Sequence, residues 1–199
     1  MFPVTNRFER NFSNLLPNLQ WRKKLSARAN LRVFYRTNAN APSVNQLQNV
    51  INNSNPLFLS TGNPELNQSF SHTLVTRYVY TNTGKGRSFF VNLFATATQD
   101  YIANATYVAA SDSVLAPGVT LFRGSQLSKP INLQGYRNVR SFVTYGMPLK
   151  FIKSSINFNA GFGYTRAPGL INRVENIAHT YNYNGCLLYT SDAADDLLC

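Results

Sequence analysis

Ser154-Ser155-Ile156-Asn157-Phe158-Asn159-Ala160-Gly161-Phe162-Gly163-Tyr164-Thr165 is the stretch that decides the fold class. Ile156, Phe158, Ala160, Phe162 and Tyr164 take alternate positions, and Ser155, Asn157, Asn159, Gly161, Gly163 and Thr165 fill the others. Neighbouring side chains of a strand point to opposite faces, so this period of two predicts a strand. One of its faces is greasy; the other is polar and uncharged. At about 3.3 Å per residue it is long enough to cross an outer membrane with some tilt.

Working outward, the same alternation recurs. Residues 29–36 set Leu31, Val33 and Tyr35 against Asn30, Arg32, Phe34 and Arg36. Residues 69–80 group Phe70, Leu74, Tyr78 and Tyr80 opposite Ser71, Thr73, Val75 and Arg77. Phe89, Val91, Leu93, Ala95 and Ala97 oppose Phe90, Asn92, Phe94, Thr96 and Thr98, and Val139, Val143 and Tyr145 oppose Asn138, Arg140, Phe142 and Thr144. Weaker strands are expected at 15–25 and 101–110, and helical periodicity is faint throughout.

The connections alternate in length. Thr81-Asn82-Thr83-Gly84-Lys85-Gly86-Arg87 and Pro148-Leu149-Lys150-Phe151-Ile152-Lys153 are short links, whereas 38–67 and about 110–134 are long polar stretches. Short turns at one end and long loops at the other describe a transmembrane β-barrel, long loops outward. Long structureless loops would count against a compact soluble domain. The expected fold is therefore all-β: an antiparallel up-and-down meander forming a partial transmembrane barrel, about 6–8 strands of a larger one.

Composition fits that architecture. Of 199 residues, 44% are hydrophobic, 13% aromatic and only 14% charged, where soluble domains average nearer a quarter charged. Aromatic and β-branched residues are too abundant for disorder. No run of about eighteen apolar residues marks a membrane helix. The opening Met1-Phe2-Pro3-Val4-Thr5-Asn6-Arg7 lacks the apolar core of an export signal, so the natural N-terminus is expected upstream. The net charge of +11 is spread singly apart from Arg22-Lys23-Lys24. A nucleic-acid footprint clusters, so no nucleic-acid partner is expected; bases at a barrel rim meet lipid and lipopolysaccharide phosphates instead.

The tail reads differently. Cys186-Leu187-Leu188-Tyr189-Thr190-Ser191-Asp192-Ala193-Ala194-Asp195-Asp196 resembles a translated sequencing adapter. Residues 1–185 are accordingly expected to be the barrel fragment and 186–199 a non-native tail. Setting the tail aside removes Cys186 and Cys199, leaving no thiol. It also removes Asp192, Asp195 and Asp196, leaving five acids against nineteen bases, a net of +14.

A family resemblance rests on three segments. They are Asn30-Leu31-Arg32-Val33-Phe34-Tyr35-Arg36-Thr37, then Ala41-Pro42-Ser43-Val44-Asn45-Gln46-Leu47, then Gly62-Asn63-Pro64-Glu65-Leu66. Together they resemble the outer-membrane β-barrel family of TonB-dependent-receptor-like proteins of Bacteroidota. Tyr136-Arg137-Asn138 with Thr144-Tyr145-Gly146 is similar to that family's following hairpin. The motif positions are Pro42, Ser43, Gln46, Leu47, Gly62, Asn63, Pro64 and Leu66. The resemblance implies a Gram-negative outer-membrane location and uptake of an unknown nutrient, with a plug and contact to TonB through N-terminal parts upstream of these residues.

Read physically, the Gly-Asn-Pro turn aims the chain from loop into strand. Gly62 can supply a positive φ, Asn63 before proline prefers an extended conformation, and Pro64 blocks helix.

Candidate chemistry is sparse. Gly84-Lys85-Gly86-Arg87-Ser88 lacks the earlier glycine and the Lys-Ser/Thr adjacency of a phosphate loop, and it precedes a strand. His72, read as a strand-face residue, and His179, read as a loop residue, have no ligand-spaced partner for a metal. Glu9, Glu65, Asp100, Asp112 and Glu175 are too scattered for an acid–base pair. No catalytic, cofactor or metal residues are expected. Tyr35, Tyr78, Tyr80, Tyr145 and Tyr164 suit an interfacial girdle or simple strand packing, and Arg32, Arg36, Arg77 and Arg140 suit the lumen. Two alternatives stand beside this reading: a surface barrel that transports nothing, which shares these features, and a secreted glycan-binding β-sandwich, against which the long loops and the uniform greasy face count.

Overall fold

The computed structural model describes residues 11–191. Seven strands form an antiparallel wall. In chain order they begin with β1 (Asn18–Lys24) and β2 (Ala29–Asn40); β3 (Phe58–Ser60) lies apart, and β4 (Ser69–Asn82) and β5 (Arg87–Gln99) rejoin the wall. Then come β6 (Tyr101–Val108), β7 (Ser113–Ala116), β8 (Val119–Leu121) and β9 (Gln126–Leu133), all outside it. The wall closes its sequence with β10 (Tyr136–Leu149), β11 (Ser154–Ile171) and β12 (Val174–Ser191). Its order is β1-β2-β4-β5-β10-β11-β12, an up-and-down meander in which β5 and β10 are neighbours. Among the described residues β1 and β12 each have a single neighbour, so the sheet is an open, partial barrel.

Short turns gather at one end, at 25–28, 83–86 and 150–153. Asn82 caps the second of these, its side chain accepting from the Lys85 amide at 3.2 Å, and Gly86 leaves it at φ 63°. A left-handed φ is open to glycine without a Cβ clash. At the other end the chain makes two long departures, 41–68 and 100–135, and one tight turn at Asn172-Arg173. Both turn residues have positive φ (48° and 67°), the signature of a two-residue hairpin that follows strand twist.

The long departures are not structureless. Residues 110–134, read from sequence as a polar loop, hold the hairpin β7–β8 and the strand β9. In β9, Leu127, Ile131 and Leu133 alternate with Ser128, Pro130 and Asn132, a signal that Lys129 and Pro130 dilute. β9 pairs antiparallel with β6 and parallel with β3, and β6 touches β11 in parallel at Ala105 and Thr106. β6, β9 and β3 thus continue the wall's sheet past β11, and with the separate hairpin β7–β8 they form a crown on the wall. Where it leaves, β5 bends at Asp100 (φ 50°) and β10 begins after Gly135 (φ 88°). The Gln134 and Asp100 side chains clamp the bend: Nε2 of Gln134 donates to Oδ1 of Asp100 at 2.7 Å.

Of the buried hydrophobics, Leu59, Leu66, Ala105 and Leu121 belong to the crown and Ala29 alone to the wall. A soluble sheet would bury one face; among the described residues neither face of the wall is covered by a second layer.

His179, expected in a loop, stands on β12 opposite Arg166, because the alternation of β11 continues in its partner. β12 also runs without a register break past Gly185, pairing 186–191 with 154–159. Main-chain pairing is open to any extended segment, so the ladder does not depend on where these residues originate. Glu9 and residues 192–199 lie outside the described residues.

Candidate functional site

Register assigns each wall residue to a face. Tyr35, Leu74, Ala95, Val139, Tyr164 and Tyr181 form one continuous cross-strand row. Six residues toward the short turns, Ala29, Tyr80, Phe89, Tyr145, Phe158 and Leu187 form another on the same face. Between them lie mainly Leu31, Val33, Val91, Leu93, Val143, Ala160 and Phe162. Two aromatic-bearing rows about 20 Å apart, with an apolar band between, match a membrane-facing surface. Tyr78–Phe89 and Phe89–Tyr145 pack edge-on at 6.1 and 6.3 Å. All five tyrosines considered for a girdle, Tyr35, Tyr78, Tyr80, Tyr145 and Tyr164, fall on this face.

The opposite face is polar and concave. A cleft of about 710 Å³ is lined by Arg36 on β2, Phe94 and Thr96 on β5, and Asn138, Arg140 and Phe142 on β10. It continues over Gly161, Gly163 and Thr165 on β11 to Asn182 and Asn184 on β12. Residues from β2 to β12 can line one cleft only if the sheet curls toward this face. It is therefore the lumen side. Gly161 makes room for the Asn184 side chain, which lies over it, and the Asn182 side chain stands beside Gly163.

Polar ladders hold this face together. Ser71 and Thr98 hydroxyls meet at 2.9 Å, Asn138 Nδ2 donates to Thr165 Oγ1 at 2.7 Å, and Thr144 Oγ1 donates to Asn159 Oδ1 at 2.9 Å. Each such cross-strand bond contributes about 0.2–1 kcal/mol. Arg22, Arg32 and Arg77 occupy one row across β1, β2 and β4, and Arg77 Nε donates to Asn92 at 2.8 Å. Arg32, Arg36, Arg77 and Arg140 thus all lie on the lumen face, and none of the described acids (Glu65, Asp100, Asp112, Glu175) joins them there. An uncompensated cationic lumen attracts anions and repels cations.

The eight motif residues come together at the base of the crown. Ser43 caps the one-turn helix α1 (Val44–Leu47). Its Oγ accepts from the Gln46 amide at 3.3 Å, and Gln46 Oε1 accepts from the Ser43 amide at 2.9 Å, a reciprocal capping box. Pro42 is buried just ahead of it and Leu47 is half-buried at its end. The Gly62 amide then donates to Gln48 O (3.0 Å) and the Asn63 amide to Gln46 O (2.6 Å).

Gly62 was read as a source of positive φ; the structure gives a different reason. A Cβ there would sit 2.2 Å from the Gln48 carbonyl oxygen, so close backbone approach excludes any side chain. Asn63 locks the clasp to the crown, its Nδ2 donating to Pro130 O at 3.0 Å while its Oδ1 accepts from the Glu65 amide. Leu66 is fully buried, and Pro64 carries the chain between. The motif is a clasp between loop and crown. Sequence reasoning missed β9 as its anchor, because Pro130 within a strand disguises one.

Among the described residues, no three His, Cys, Asp or Glu side chains gather. His72 and His179 instead bond tyrosines: Tyr35 Oη to His72 Nδ1 at 2.7 Å, and Tyr164 Oη to His179 Nδ1 at 2.9 Å.

A curled antiparallel wall with an apolar, aromatic-bordered outside and a wet, cationic inside defines a transmembrane β-barrel wall. A family model described as the outer membrane protein beta-barrel family matches residues 4–193. The chain belongs to that family, and its place is the outer membrane. No curated protein matches it.

Proposed function

We propose that this chain forms part of a TonB-dependent-receptor-like barrel that admits a nutrient through a Gram-negative outer membrane. The observation that carries this reading is the cleft on the concave polar face of a wall that bears the crown at the end opposite its short turns. The clasp residues add the resemblance to that receptor type. The crown faces outward to meet solute, the short turns face the periplasm, and TonB acts through N-terminal parts. The barrel catalyses no reaction; it offers a passage that a plug gates.

The test is uptake by cells in which the complete gene is deleted and then restored. Restored growth on a limiting nutrient supports the proposal. A full-length protein that stays soluble without detergent would sink it.

A non-transporting surface barrel shares the wall and crown; equal uptake in deleted and restored cells would favour it. A glycan-binding sandwich needs a second sheet over the apolar face. Among the described residues none covers Leu74, Phe158 or Phe162, each about 40% exposed or more.

We also read 186–199 as adapter-derived. An independently sequenced locus whose frame continues past Gly185 with other residues would bear this out, and one that repeats Cys186-Leu187-Leu188 would refute it.

A further inference from the structure

One outward row breaks the apolar pattern. Directly beyond the row of Tyr35, Tyr164 and Tyr181, toward the crown, lie Thr37, His72, Ala97, Arg137, Arg166 and His179 in continuous register. Arg137 and Arg166 are direct cross-strand partners. Directly opposed side chains have Cβ atoms about 4.5–5.5 Å apart, and like charges so placed repel. No described acid on this face answers them: the nearest in register, Glu175, lies opposite Leu170, two steps further along the strand. Arg166 spends one donor on the Gly135 carbonyl (2.5 Å), while Arg137 is exposed.

A histidine stands on each side of the pair, His179 directly opposite Arg166 and His72 one strand beyond Ala97. Each stacks with a tyrosine of the row below, Tyr35–His72 at 6.1 Å and Tyr164–His179 at 6.0 Å. In the tautomer in which each tyrosine hydroxyl donates to Nδ1, the ring N–H sits on Nε2, the nitrogen left to meet an acceptor. Two guanidinium groups and two imidazole N–H groups thus ring the wall just above the aromatic border, on the surface that meets lipid. Acceptors with negative charge at that depth are lipid phosphates, and planar guanidinium binds phosphate by two parallel bonds.

We infer that the His72–Arg137–Arg166–His179 row is a docking site for the phosphate groups of the outer-leaflet glycolipid, seated where its acyl chains lie along the apolar band. The inference rests on the orientation given above, crown outward; external trypsin cutting after Arg123 on intact cells checks that orientation separately.

The binding test uses the full-length barrel in detergent, titrated with diphosphorylated lipid A, with dephosphorylated lipid A and with inorganic phosphate. Tight binding is expected only for the first. Arg137→Gln with Arg166→Gln should weaken it at least about tenfold, each charge-assisted bond being worth about 1.5–3 kcal/mol. Arg137→Lys with Arg166→Lys should retain part of it, and the lumen variant Arg32→Gln all of it. Equal binding of phosphorylated and dephosphorylated lipid, equal binding by the double Gln variant, or a response to inorganic phosphate matching that to lipid A would each overturn the proposal. Nutrient uptake by the double variant, measured alongside, keeps a failure here distinct from a failure of the transport reading.

Discussion

In the wall, Leu74, Phe158 and Phe162 keep 38%, 47% and 40% of their surface exposed; in the crown, Leu59 and Leu66 keep 2% and 0%. Both regions are built of paired strands with alternating side chains, all antiparallel in the wall and mixed in the crown. They differ in which solvent their apolar side chains leave. The crown stands in water and buries Leu59, Leu66 and Leu121 within the chain, at about 25 cal/mol per Å² removed, although Leu57, Phe58 and Phe122 stay exposed at its surface. The wall stands in hydrocarbon, where apolar side chains need no cover, and its stability rests on the hydrogen-bond ladders that join its strands. One chain thus carries two definitions of inside.

The largest test of this contrast uses neighbouring residues of β10. Val143→Arg puts a charge near the middle of the apolar band and should cost about 2–4 kcal/mol in urea unfolding from lipid vesicles. Thr144→Arg, one residue on and facing the lumen, should cost only about 1 kcal/mol for its lost bond to Asn159. Equal losses would mean that the faces are misassigned.

In the crown, Gly62→Ala forces a methyl group against carbonyls and should cost about 1–3 kcal/mol, seen as faster amide exchange in 41–68 and β9 but not in the wall. The wall glycine Gly163 has 3.5 Å of room to Asn182, and Gly163→Ala should change stability by less than about 0.5 kcal/mol. A smaller effect is expected of Ser43→Ala, which removes a cap from one turn of helix: about 0.5–1 kcal/mol by protease resistance of the crown. Smallest is Ser125→Ala. The Ser125 hydroxyl is buried without a partner, so its removal should leave crown stability unchanged or slightly raised.

The wall was legible because a two-residue period survives translation into structure wherever both faces meet uniform surroundings. Residues 154–165, 69–80 and 89–98 show it, and all three became strands facing as read. The crown was legible only in part. Its strands are short, put Lys129 on the apolar face of β9 and Pro130 on the other, and take their order from long-range pairing that no local pattern announces. β12 hid for a related reason. Val174-Glu175-Asn176-Ile177-Ala178-His179 alternates poorly, and it is strand because β11 and the Asn172-Arg173 turn dictate it. Of the clasp, the residues were visible in sequence and the geometry was not. The need for glycine at 62 comes from carbonyls fourteen to seventeen residues earlier.

The bend at Asp100 and Gly135 also bears on how the chain finds its fold. β5 and β10 are neighbours in the wall although thirty-six residues separate them. Closing so long a loop from random coil costs more entropy than closing a four-residue turn, about 2 kcal/mol more over three doublings of length. The crown removes that penalty by nesting. β7–β8 closes across Pro117-Gly118, β6–β9 aligns next, and Asp100 and Gln134 then hold the ends of β5 and β10 side by side. Pairing can therefore run as a zipper from the crown toward the short-turn end of the wall, each step local to the last. A sheet of long-range contacts is assembled through short-range moves, and contact order overstates how slowly this hairpin should form.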